Sequence, residues 1–201
     1  ADHYAKRLFK NKKALAYLEG RGLGNPVLFT RFKAGYADGS LVKKISAAQR
    51  KALIDAGILR ENGTVHFVGC VVFPITDEAE KVVSFYGRSI TGSSHLYLKG
   101  PHKGVFHRKA SKVYDEIILV ESIIDALSLI SMGVENVQAL YGTGGFTAEH
   151  RKLLNDDRVK TVVPAMDNDD AGRAAAARLQ ESLTGDGFSV KVIAPPSGKD
   201  W

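Results

Sequence analysis

The sequence predicts an α/β protein: a parallel sheet flanked by helices in its C-terminal half, preceded by a smaller mixed α+β subdomain. Three observations carry this expectation. From residue 115 onward, short apolar runs alternate with helical patterns, and strands alternating with helices mean a parallel sheet with right-handed crossovers. The run IILVE (117–121) is apolar almost throughout, as in a strand covered on both faces. Before residue 113 there is no such alternation, only helical patterns and one hairpin. A boundary near 113–116 divides the chain into residues 1–114 and 115–201. No internal repeat or low-complexity linker separates the halves, so they are expected to pack together.

Residues 3–21 read as a helix, with Leu8, Leu15 and Leu18 among basic residues and Gly20 and Gly22 ending it. Residues 46–57 read as a second helix, with Ser46 as N-cap and Gly57 as the terminating glycine. Between 64 and 88, TVHFVGCVVFPI, the turn TDEAE and KVVSFYGR read as a hairpin. Residues 93–114 are basic and aromatic with little periodicity. In the second half, strands are expected at 117–121, 137–140, 161–166 and 190–195. Helices are expected at 122–133, 147–156 and 171–183.

The chain has 201 residues, a formal net charge of +6 and a pI near 9.3. Its 44% hydrophobic and 25% charged residues are ordinary for a globular protein with a real core. No apolar run is long enough to span a membrane, and the N-terminus lacks the apolar core of a secretion signal. The single cysteine, Cys70, excludes an internal disulfide and a multi-cysteine zinc site, and reads as a small buried hydrophobe. A cytoplasmic protein is the natural expectation. Basic residues crowd the first half (KRLFKNKK at 6–13, the pair at 43–44, then Arg88 to Lys112), whereas the acids lie largely in the second. That asymmetry suits a polyanion on one face and a cation near another; a solvated basic surface would look the same.

The acids are the informative part. In parallel α/β sheets, ligands bind beyond the C-terminal ends of the strands. Glu121 ends the first expected strand there, and Asp167 ends the third, with Asp169 and Asp170 in the loop behind it. Asp125, four residues after Glu121, shares its face of the next helix. Asp200 follows the fourth strand. Carboxylates gathered like this share protons or share a cation. Magnesium binds through one or two carboxylates plus substrate phosphates, which suits phosphoryl or nucleotidyl transfer. Asp170 itself reads as the N-cap of the helix at 171. Taken alone, Asp167 and Asp169 fit a turn as well as a metal; Glu121 on a neighbouring strand end tips the pair towards the metal.

Other motifs fail on inspection. An EF-hand from Asp167 would need an acid or amide where Ala171 stands and a glutamate where Arg178 stands. SGKD (197–200) has Asp after the lysine, so it is no Walker loop. GTGG (142–145) is a backbone loop that could approach a phosphate, or a tight turn. The six histidines lack metal-ligand spacing, and His66, His107 and His150 read as structural or surface residues.

Together, VESIIDAL (120–127), YGTGGFTAEH (141–150), AMDNDDAGRAAA (165–176) and PPSGKD (195–200) resemble the TOPRIM module, and most closely that of bacterial DnaG-type DNA primases. The first half agrees: AYLEGRGL (16–23), FKAGYADG (32–39), CVVFPITDEAEKVVSFYGRSI (70–90) and HLYLKGPHKGVFHRKA (95–110) resemble the primase RNA-polymerase core in the right order. The resemblance implies a TOPRIM-type sheet and a catalytic core that makes short RNA primers on single-stranded DNA from NTPs with Mg²⁺ or Mn²⁺. By position, Glu121 is similar to the family's catalytic glutamate, and Asp167 and Asp169 to its metal-binding pair. Asp125 and Asp200 match further acids of the metal site. Arg21 and Arg88 match basic residues on the template and nucleotide path, and Arg108 stands where a lysine is usual. Lys99, Lys103, Lys109, Gly142 and Lys199 are expected beside them. Guanidinium groups pair well with phosphates, and such contacts position a strand rather than read it.

Departures accompany the resemblance. Ser122 stands where the family usually has glycine, and Leu96 where a lysine is usual. Acids expected beyond Asp200 are absent, as are zinc-binding and helicase-binding segments. The sequence therefore resembles a core cut from a longer protein, one carried by a mobile element, with a replicative helicase as a partner through the missing domains. Two other readings stay open: a TOPRIM-type nuclease or topoisomerase-like module, and a non-catalytic nucleic-acid-binding module whose acids merely cap helices.

Overall fold

A computed structural model describes residues 1–201, apart from the side chain of Lys44, so that residue of the basic pair at 43–44 lies outside the description. The chain divides into two compact units. The first comprises Ala1–Ile75 and Ala79–His102, and the second Thr76–Glu78 and Lys103–Trp201.

The first unit opens with three short helices, α1 (Asp2–Leu8), α2 (Lys12–Glu19) and α3 (Pro26–Arg31). The single helix expected over 3–21 is thus two. Asn11 breaks it by accepting the Ala14 amide at 2.9 Å, so its side chain competes with the helix ladder and starts a new one. Leu8 and Leu18 are both fully buried. Next come β1 (Gly35–Tyr36), a 3₁₀ turn (Ser40–Lys44) and α4 (Ala47–Asp55). The α4 start follows its sequence: Ser46 and Gln49 form a capping box, and Gly57 leaves the helix at φ 73°. The strands β2 (Cys70–Thr76), β3 (Val82–Ser89) and β4 (His95–Tyr97) complete a four-stranded sheet in the order β1-β2-β3-β4. Its pairs β1–β2 and β3–β4 are antiparallel. Phe67, Val72 and Cys70 are buried in the core beneath it.

The second unit begins with α5 (Ala110–Val113), and Phe106 bridges antiparallel to Ala139. Residues 103–114 therefore pack with the α/β half. Then β5 (Glu116–Val120), α6 (Ile123–Ser131), β6 (Val137–Ala139), α7 (Ala148–Asp156), β7 (Thr161–Ala165), α8 (Asp170–Gly185) and β8 (Ser189–Val190) follow in strict alternation. The sheet is parallel throughout, in the order β6-β5-β7-β8. Ile117, Leu119 and Val162 are completely buried, which is why these strands read as unbroken apolar runs. Each such side chain stabilises the fold by about 1.5–3 kcal/mol. The last strand is shorter than the 190–195 expected. Pro164 in the middle of β7 has no N–H for its neighbour, so regular pairing ends at Val190, although Ile193 still donates to the Pro164 carbonyl at 3.1 Å.

Candidate metal and nucleotide site

The strand order places the site. From β5 the chain passes through α6 to β6 on one side, and later crosses to β7 on the other. Such a reversal opens a crevice beyond the carboxyl ends of the two central strands. Val120 pairs with Ala165 at those ends. Glu121 is the next residue after β5, and Asp167 comes two residues after β7. Two carboxylates far apart in sequence thus meet at one rim.

Burial and like charge raise the proton affinity of both. Glu121 is pushed above the usual carboxylate range by burial first, then by Asp125, Asp169 and Asp200, with Lys199 opposing. Asp167 is pushed further, to about 7, by burial and then by Asp125, Glu121 and Asp200. Asp167 Oδ1 is buried and accepts no hydrogen bond. An acceptor held away from water without a donor is costly, and a hard cation is the partner that would satisfy it.

The remaining acids are partly engaged. Asp125 is buried and forms a capping box at the start of α6, its Oδ2 accepting the Ser122 amide at 3.0 Å and the Ser122 hydroxyl at 2.7 Å. Ser122 is therefore the N-cap that orients Asp125 beside Glu121. The α8 cap differs from expectation. Asp169, not Asp170, is the N-cap, its Oδ1 accepting the Gly172 amide at 2.8 Å. The helix starts one residue earlier than expected, and Asp170 turns outward to pair with Arg173 at 2.6 Å. The capping bond and Lys199 hold the Asp169 carboxyl below its ordinary value. Asp200 is exposed and reaches the others only through its charge. Among the described residues no group of three or more His, Cys, Asp and Glu side chains is close enough to enclose a metal ion. The rim is thus a set of converging acids that includes one orphaned oxygen, not a closed cage. Glu121, Asp167 and Asp169 Oδ2, which Lys199 Nζ now pairs at 3.0 Å, fit a magnesium-like ion that keeps most of its waters.

Backbone contacts fix this geometry. A side-chain carbon on Gly172 would stand 2.1 Å from the Asp167 carbonyl oxygen, so α8 packs directly on the backbone that carries Asp167. We expect Gly172→Ala to cost about 1–3 kcal/mol, read as a fall in the urea midpoint, and to weaken any ligand held by Asp167. Gly142 has φ 84°, and its amide donates to the Glu121 carbonyl at 3.0 Å, while the Gly145 amide closes the turn on the Gly142 carbonyl at 2.9 Å. GTGG is therefore a tight turn tying the end of β6 to the end of β5, and the Gly142 amide is not open to a phosphate. Neither Gly172 nor the Ser122–Asp125 cap was singled out as functional from sequence. The Asp-Ala-Gly step and the serine three residues before an acid were the available signals.

The basic residues divide between the units. In the second, Lys103 and Lys109 are exposed, but Arg108 is only 8% exposed, with its guanidinium 3.8 Å from Glu78. Arg108 is thus packed inside rather than presented to solvent. In the first, Arg21 is exposed and lies over the Tyr17 ring at 5.5 Å, Lys99 is exposed, and Arg88 is half-buried beside Tyr17 and Tyr86 with its Nε lacking a hydrogen-bond acceptor. His66, His107 and His150 bond the carbonyls of Tyr97, Val137 and Ala139, so all three are structural.

Known proteins resemble this chain in sequence and in fold. Residues 3–116 match the family described as "DNA primase catalytic core, N-terminal domain", which is more than half of the chain. The chain belongs to the DNA primase catalytic core family. Residues 118–201 match the Toprim-like domain, the part that carries the acidic rim. The DNA primase of Clostridium acetobutylicum is 35% identical over all of this chain, which covers 36% of that protein. That of Deinococcus radiodurans is 34% identical over 93% of the chain and 36% of its own length. The chain thus spans about a third of the length of these relatives. Among solved structures, a DNA primase domain from Pseudomonas aeruginosa superposes with a TM-score of 0.83 at 30% identity, over 98% of this chain and 69% of that one. A DnaG primase catalytic domain bound to ssDNA gives 0.80 at 29% identity, over the same shares of the two chains. No helix of the described residues is long and apolar enough to cross a membrane.

Proposed function

We propose that this chain is a primase catalytic core, a nucleotidyltransferase that joins NTPs into short RNA primers on single-stranded DNA. The observation that carries the reading is the buried, unpartnered Asp167 Oδ1 among Glu121, Asp125 and Asp200 at the switch point of a parallel sheet. Membership of the primase core family supports it, as does the ssDNA-bound neighbour.

Asp167 and Asp169 would hold Mg²⁺ or Mn²⁺, with Glu121 beside them and Asp125 and Asp200 adding charge. When bound, the ion neutralises triphosphate charge and stabilises the charge that develops during transfer. Glu121, carrying a proton more readily than an ordinary carboxylate, would act as general base towards the attacking hydroxyl. Lys103 and Lys109, exposed on the same unit, would attract phosphates. Arg21, Arg88 and Lys99 on the first unit would hold the template backbone. A replicative helicase as partner and a cytoplasmic setting complete the reading.

The test is primer synthesis on single-stranded DNA with labelled NTPs and Mn²⁺; short RNA products are expected. Metal-dependent nicking of the DNA without RNA products would favour a nuclease. A binding-only module is the second reading, favoured by the use of Asp125 and Asp169 as helix caps; DNA binding with neither product would support it. For the template contacts, Arg88→Ala should weaken single-stranded DNA binding about equally for all sequences and reduce the slope of log affinity against log salt by about 0.7. Fluorescence anisotropy at several salt concentrations reads both.

A further inference from the structure

The acidic rim holds a cation of its own. Lys199 Nζ lies 3.0 Å from Asp169 Oδ2. The Lys199 carbonyl accepts the Asn168 amide at 2.8 Å, and the Trp201 indole donates to the Ala165 carbonyl at 2.7 Å. Residues 199–201 are thereby tied to the end of β7 and to the loop that follows it. The two oxygens of Asp169 have separate tasks: Oδ1 caps α8 through the Gly172 amide, and Oδ2 takes the ammonium. The positive charge also counteracts the mutual repulsion felt by Glu121 and Asp167. The lysine side chain is 60% exposed, so it can leave without disturbing the core. A compact charge on a flexible stem suits such a task.

We propose that Lys199 is a placeholder cation: it neutralises the acidic rim while no metal is bound, and a divalent ion must displace it from Asp169 Oδ2 to enter. Asp169 keeps its cap through Oδ1 during the exchange, so α8 does not fray when the partner of Oδ2 changes. Lys199 is then a positioning residue that sets the affinity of the rim. The inference rests on the metal reading above.

The experiment is calorimetric titration of the full chain with Mn²⁺ alone, without nucleotide or DNA, for the wild type, Lys199→Met, Lys199→Arg and Asp167→Asn. An exposed ion pair is worth up to about fivefold in an equilibrium constant, and removing the repulsion between two neighbouring cations adds to this. Lys199→Met should therefore bind Mn²⁺ about five- to tenfold more tightly, and its metal-free form should melt at a lower temperature. Lys199→Arg keeps the charge and should show no such gain. Equal or weaker Mn²⁺ binding by Lys199→Met overturns the inference. Wild-type-like Mn²⁺ binding by Asp167→Asn, or uptake by none of the four, would instead bring down the metal site itself.

Discussion

Replacing Asp167 by asparagine should stabilise the metal-free protein while abolishing primer synthesis. Burial and three neighbouring carboxylates raise the Asp167 carboxyl from 3.8 to about 7, so the folded chain binds this proton more tightly than the unfolded chain does. A raised carboxylate costs nothing below about pH 4, where both states are protonated. The cost grows as pH rises towards 7 and is then constant. The full shift would correspond to about 4 kcal/mol. Asp167 is only partly buried and solvent screens its neighbours, so about 1 kcal/mol is the realistic gain for asparagine. That corresponds to about 2–4 °C in melting temperature for a chain of this size. Asparagine keeps the shape, and its amide can donate to the acids around it. Thermal melts in EDTA should show the gain at pH 8 and little of it at pH 4. With millimolar Mn²⁺ the order should reverse, because only the wild type gains binding energy from the metal. No difference in EDTA at pH 8 would mean that the carboxylates do not repel one another as their placement implies.

Glutamine at 121 should cost about 10²-fold or more in primer synthesis, the range of a lost general base, while leaving the fold and DNA binding intact. Glu121 directly follows β5, and its carbonyl holds the Gly142 amide. Both features belong to the backbone and survive the substitution. Mn²⁺ binding should weaken less than in Asp167→Asn, because Asp167 carries the orphaned oxygen and Glu121 supports it from the adjacent strand. The two variants together separate base from ligand: one loses rate with metal retained, the other loses both. Synthesis by Glu121→Gln within a few-fold of wild type would remove Glu121 from the chemistry and leave it a charge beside the metal.

Much of this was legible in one dimension. The apolar runs at 117–120 and 161–165 alternate with helical patterns, and a parallel sheet places whatever follows such strands on one rim. That pattern alone puts Glu121 and Asp167 on the rim. It did not divide the labour among the acids. Asp169 and Asp170 are adjacent and chemically identical, and which one caps α8 depends on where Gly172 meets the Asp167 backbone. The resemblance to the primase core implies a phosphate-binding role for Arg108. The fold buries it against Glu78, a partner thirty positions earlier that no local pattern reveals. The helix over 3–21 was split by one asparagine, whose side chain can cap or face solvent with equal local ease.

The sequence by itself determined the alternation of strands and helices in the second half and the family, because periodicity and short ordered motifs are local properties of a chain. Only the tertiary structure decided which acid oxygen is left without a partner, which is capped and which is paired with Lys199. Those outcomes depend on burial and on charges brought together across the switch point, where residues far apart in sequence become neighbours.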